Sequence, residues 1–288
     1  MQSTIIKLND SYYTQALLLL KEEELWNLIP YDAFLRYGLQ HPEHEWFGEV
    51  EQGSLVRLLY KTKQLIHLVS PKPFHLSRLS TLIRSSKAPI IMHGKKETVE
   101  GFLFGMRNRR LKKMDDALFV QQSVHTSRII RSVPIDAKNS VHLRPAEEKD
   151  YLNILELYKK SDIDHLVDPV LIQQLIQLKK VKIAEKINHY GHNSSFDTRS
   201  NPKLLGTLMC LKESKRYVLL GGLLVHPEYR HHGIASKLGR DVILDANSRG
   251  KKICFYYNDK SLKRFYEKIE LEPLGRWVSY VITSKATT

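Results

Sequence analysis

An apolar run from Tyr217 to Val225 stops at His226 and Pro227, and Gly233 soon opens a segment in which Leu238, Val242, Ile243 and Ala246 recur at helical spacing. A strand that must end there and a helix that must begin there leave few architectures, because the helix's apolar stripe needs a sheet to lie on. The first N–H groups of a helix have no partner within the helix, and they gather at the positive end of its dipole. Gly233 and Ala235 are small, so an anion can approach the amides of Gly233, Ile234, Ala235 and Ser236 closely. Arg230 adds a permanent positive charge. The amides of His231 and His232 serve the same turn whatever their rings do, and those rings read as solvated. The spacing matches neither the G-x-x-x-x-G-K-[ST] nucleotide loop nor the G-x-G-x-x-G dinucleotide fingerprint. It predicts a phosphate site of another kind.

The elements around this turn predict a mixed α/β order in both halves of the chain. In the first half, strands are expected at Thr4 to Leu8, Trp46 to Val50, Ser54 to Tyr60, Lys63 to Val69, Pro89 to His93 and Ala117 to Gln122. Helices are expected from Tyr12 to Trp26, capped by Asp10 or Ser11, and from Phe74 to Arg84. In the second half, Val141 to Arg144 reads as a strand, Lys149 to Lys160 and Pro169 to Lys186 as helices, and Leu204 to Leu211 as a strand antiparallel to Tyr217 to Val225. A strand from Ile253 to Tyr257, a helix from Ser261 to Lys268 and a strand from Arg276 to Thr283 follow. Asn188 to Asn201 carries no periodic signal. At 288 residues two domains are expected. The polar stretch between Ser123 and Ser140 divides them into residues 1–125, a linker at 126–140 and residues 141–288.

Charge narrows the partners without naming one. Lys and Arg number 45 against 31 Asp and Glu, a formal net charge of +14, which favours anions. The basic residues are scattered, and the densest run, Arg107 to Lys113, ends in Asp115 and Asp116, which reads as a solvated loop or helix end. Nucleic acid is therefore not the expected partner. Cys210 and Cys254 stand far apart in apolar runs, which predicts neither a disulfide framework nor a metal site. No stretch has the length of a membrane span, so no membrane partner and a cytoplasmic location are expected.

The order of strand, Arg230-x-x-Gly233-x-Ala235 turn, helix, strand and Tyr-bearing helix resembles the GNAT superfamily of N-acetyltransferases, whose cofactor loop reads R/Q-x-x-G-x-G/A. The resemblance covers Val141 to Thr283 and implies a twisted mixed sheet flanked by helices. It further implies that the loop amides from Arg230 to Ser236 hold the pyrophosphate of acetyl-CoA. The main chain of Leu223, Leu224 and Val225, with Asn258, would meet the pantetheine arm. Tyr266 matches the family's helix tyrosine near the cofactor sulfur and would act as the acid. The first half has no such turn, and the resemblance implies a degenerate copy of the same fold in a tandem protein, with an unrelated α/β domain as the alternative.

Two departures stand out. Ile269, Glu270 and Leu271 replace a frequent Leu-Gly-Phe, and Leu219 to Val225 contains no carboxylate where several members carry a base. The expected activity is direct acetyl transfer to the amine of a small molecule or peptide. A non-catalytic acyl-CoA sensor, or a basic nucleic-acid-binding protein keeping the fold, is the alternative.

Overall fold

The computed structural model describes residues 4–69, 89–104, 106, 109–123, 141–161, 168–186, 203–269 and 271–284. Twelve strands and seven helices are described, and the chain divides into two compact units. The first holds residues 1–120, 256–260 and 273–288, and the second holds 121–255 and 261–272.

In the first unit, β1 (Thr4–Lys7), β2 (Glu45–Glu51), β3 (Ser54–Lys61) and β4 (Leu65–Val69) form an antiparallel meander. Gln52 and Gly53, with φ of 50° and 80°, close the β2–β3 hairpin as the twist of paired strands favours. β5 (Ile90–Lys95) then pairs in parallel with β4. Next in order come β12 (Leu271–Ser284) and β6 (Arg109–Gln122), so a strand from the far end of the sequence lies between two N-terminal ones. Helices α1 (Tyr13–Glu22) and α2 (Leu28–Tyr37) bury Ala16, Leu20, Tyr31 and Phe34 with Trp46 and Leu58. On a second core, α3 (Lys96–Phe104) packs Val99 and Phe102 against Met92, Val278 and Ile282.

The second unit has the strand order β11 (Lys252–Tyr257), β10 (Tyr217–Val225), β9 (Lys203–Glu213), β8 (Val181–Lys186), β7 (Val141–Pro145). Only β10 and β11 run parallel within it. Helices α4 (Tyr151–Lys159) and α5 (Pro169–Gln177) bury Ile154, Tyr158, Ile172 and Leu175 with Val181 and Met209. Helix α6 (Ile234–Ser248) packs on β8, β9 and β10, and the short α7 (Lys263–Lys268) precedes β12. No helix among the described residues is long and apolar enough to cross a membrane.

Several expectations need correction. The first helix ends at Glu22, and the turn before it is capped by Asn9, whose side-chain oxygen accepts the Ser11 N–H at 3.0 Å. A separate α2 follows, and it tolerates Pro30 because a first-turn residue has no helical hydrogen bond to lose. Helix α3 was not expected either. The basic run is strand from Arg109 onward. Lys113 there reaches Glu100 and Asp116, each at 2.9 Å, so its charge is met without leaving the sheet. Pro169 to Lys186 splits into α5 and β8 at Lys179, whose φ of 55° cannot continue a helix. The expected helix at 74–84, the linker at 126–140 and the segment 188–201 lie outside the described residues.

Candidate functional site

The turn from β10 into α6 is built so that the start of the helix is open. Gly233 is the residue at the helix N-terminus, with φ of 76°, and no side chain among the described residues caps it. The amides of the first turn are therefore left for another partner. His231 also has positive φ, 66°, and the His232 ring binds the Arg230 carbonyl through Nδ1 at 2.8 Å. The turn thus takes left-handed backbone at His231 and Gly233 and is pinned by the His232 ring. Arg230, His231, His232 and Gly233 are exposed, Ala235 and Ser236 are half-buried, and Ile234 is buried beneath them.

Helix α6 sits close to the sheet because β9 has Gly206 under it. A side chain there would meet the Leu224 carbonyl at 2.7 Å, Leu238 at 3.3 Å and Ile234 at 3.4 Å. At the same end, Lys237 donates to the Val141 carbonyl and ties α6 to β7. Glu228, the acid nearest to Arg230 in the chain, pairs with Lys203 at 2.9 Å. That pairing pulls the Glu228 carboxyl below its usual range and leaves the turn's positive character to Arg230 and the helix.

The strand leading into the turn is open as well. β10 pairs with β11 at Tyr217, Val218 and Leu219, and both strands continue beyond that ladder. From Leu220 to Val225 the edge of β10 that faces away from β9 carries no ladder with β11 among the described residues. Leu223, Leu224 and Val225 lie on this stretch. Leu224 turns its side chain into the core with Tyr158, while the main chain stays at the edge.

Tyr266 lies on α7 and is 3% exposed, its ring 5.0 Å from Phe255 of β11 and 5.0 Å from Phe265. Asn258 follows β11, is exposed and belongs to the first unit, where its amide donates to Asp115. The second unit thus holds the turn, the β10 edge and Tyr266 together.

Sequence reasoning misses one group in this unit. β10 carries a bulge after Gly221, where its register with β9 shifts between Gly221↔Met209 and Leu224↔Thr207. Gly222 there has φ of 62°, and its carbonyl accepts from Tyr158 at 2.5 Å and Thr207 at 3.0 Å. The Gly221-Gly222 pair inside an apolar strand is the signal that marks such a bulge. Nothing local links it to Tyr158 or Thr207, which are distant in sequence.

The model of the acetyltransferase (GNAT) family matches residues 163–270. No curated protein matches. Among solved structures, a tandem GNAT protein from the clavulanic acid biosynthesis pathway aligns over 97% of this chain and 98% of its own, at 13% identity and a TM-score of 0.63. A GCN5-related N-acetyltransferase from Sphaerobacter thermophilus aligns over 97% and 95%, at 13% identity and a TM-score of 0.60. An acetyltransferase of the GNAT family from Colwellia psychrerythraea aligns over 98% and 100%, at 16% identity and a TM-score of 0.54. At these identities the likeness is one of fold, and it extends over the whole chain. The chain thus has the GNAT fold, and its residues 163–270 match the model of the acetyltransferase (GNAT) family.

Proposed function

We propose that the protein is an acetyl-CoA-dependent N-acetyltransferase acting on a primary amine of a small molecule or peptide. The observation that carries this reading is the start of α6, uncapped among the described residues, directly after a strand whose outer edge carries no ladder with β11 beyond Leu219 among the described residues. Arg230 and the amides from His231 to Ser236 suit a pyrophosphate. The main chain from Leu223 to Val225 suits the amide-bearing pantetheine arm. Acetyl-CoA supplies an activated thioester carbonyl. A neutral amine attacks it, N–H groups of β10 stabilise the developing oxyanion, and Tyr266 gives its phenolic proton to the departing sulfur. The base that takes the amine proton is not assigned, since β10 holds no carboxylate from Leu219 to Val225.

The test has two arms. Calorimetric titration should show CoA binding to the wild type and none to Gly233→Asp, whose carboxylate would stand against the pyrophosphate. Equal affinities would remove the turn from the site. A screen of polyamines, amino acids, aminoglycosides and peptide N-termini with acetyl-CoA, read as free thiol, should give turnover with at least one class. CoA binding without thiol release from any amine would favour the sensor instead.

A further inference from the structure

The main-chain edge of β10 is only as well placed as the bulge within it. One extra residue enters β10 between the pairs Gly221↔Met209 and Leu224↔Thr207, and Gly222 takes a left-handed conformation there. Its carbonyl leaves the strand ladder and is received by two hydroxyls. Tyr158 of α4 donates to it at 2.5 Å, Thr207 of β9 lies at 3.0 Å, and the two hydroxyl oxygens are themselves 3.0 Å apart. Two hydroxyl protons serve three contacts. The shortest takes the tyrosine proton, and the threonine proton divides between the Gly222 carbonyl and the tyrosine oxygen. Tyr158 is 2% exposed and Thr207 0%, so water does not compete for either. A side chain at Gly222 would strike the Tyr158 hydroxyl and lie 3.2 Å from the Met209 sulfur.

The peptide unit is planar and trans, so the N–H of Leu223 points opposite to the Gly222 carbonyl. With that carbonyl held toward Thr207 and Tyr158, the N–H is turned away from β9, toward the edge where the ladder with β11 has ended. On the reading of this site as an acyl-CoA site, we infer that Tyr158 and Thr207 are positioning residues that aim the Leu223 N–H at the thioester carbonyl. They hold the donor from two different elements before any ligand arrives, which is the condition for effective stabilisation of a developing oxyanion. Burial raises the Tyr158 pKa, so the hydroxyl remains a donor throughout the neutral range.

The experiment compares wild type with Tyr158→Phe, Thr207→Val, the double variant and Thr207→Ser. Each is first checked for a cooperative melt. Acetyl-CoA labelled with carbon-13 at the thioester carbonyl is bound to each, and its carbonyl stretch is read by infrared difference spectroscopy beside steady-state turnover and CoA affinity. The wild type should lower the stretching frequency, and the double variant should lose most of that shift. Its kcat should fall about 10- to 100-fold with CoA affinity unchanged, the range expected when a donor is misplaced rather than deleted. Thr207→Ser, which keeps the hydroxyl, should behave as wild type. Should the double variant fail to fold, Tyr158→Phe alone carries the test, because its ring still fills the core. A shift and kcat unchanged in the folded variants would overturn the positioning role while leaving the acyl-CoA reading intact. Failure of the wild type to bind acetyl-CoA would instead overturn that reading, and the positioning role with it.

Discussion

His67 of β4 and His93 of β5 stand directly opposite each other on parallel strands, their rings 5.0 Å apart edge to face and both against Trp277. His67 is 1% exposed, with Nε2 3.4 Å from the Asn27 amide oxygen. Burial holds both imidazoles neutral, lowering His93 to about 4 and His67 well below 6.5. An unfolded chain takes up these protons near pH 6.5, so stability is full above that value and falls as the pH drops toward 4. At about 1.4 kcal/mol per pH unit, His93 alone should remove roughly 2 kcal/mol between pH 6.5 and 5. Urea midpoints across this range should show the slope, and His93→Gln should reduce it; an equal slope in the variant would exonerate His93. Tyr266 gives a second prediction at this scale. Removing its hydroxyl in Tyr266→Phe keeps the packing on Phe255 and Phe265, so turnover should fall about 10²- to 10⁴-fold while CoA affinity holds. Unchanged turnover would exclude Tyr266 as the acid.

The elements differ in how far the chain announces them. β10 and α6 are legible because Pro227 ends a strand, Gly233 begins a helix and the apolar spacing changes period between them. The fold class, the β2–β3 hairpin and the antiparallel β9–β10 pair are legible for similar reasons, each having a local turn signal and an alternating or continuous apolar run. α2 is not, because Pro30 reads as a breaker unless one knows that it occupies the first turn. The end of α5 is hidden by the apolar residues Val181 and Ile183, which suit either period, and by a lysine taking the left-handed turn that glycine normally marks. At the site, the turn proposed for a phosphate can be read from seven consecutive residues, Arg230 to Ser236. The Tyr158 and Thr207 hydroxyls cannot, because their meeting on one carbonyl is a product of tertiary packing.

At the scale of the molecule, the position of β12 dominates. From Pro273 on it belongs to the first unit, where it pairs with β5 over Trp277↔Lys95 through Ile282↔Ile90 and contributes Val278 and Ile282 to that unit's core. Truncation after Glu272 should therefore loosen strands from the opposite end of the sequence. Hydrogen exchange should show the β5 amides losing protection, whereas protection equal to that of the full chain would mean β12 is dispensable there. The arrangement also sets a timetable for synthesis. A ribosome adds about 5 to 20 residues per second, so on the order of 10 s separates the emergence of β6 from that of β12. Throughout that interval β5 waits with an unmated edge. The part of the protein made first is thus finished last, and during translation it is the part most in need of a chaperone.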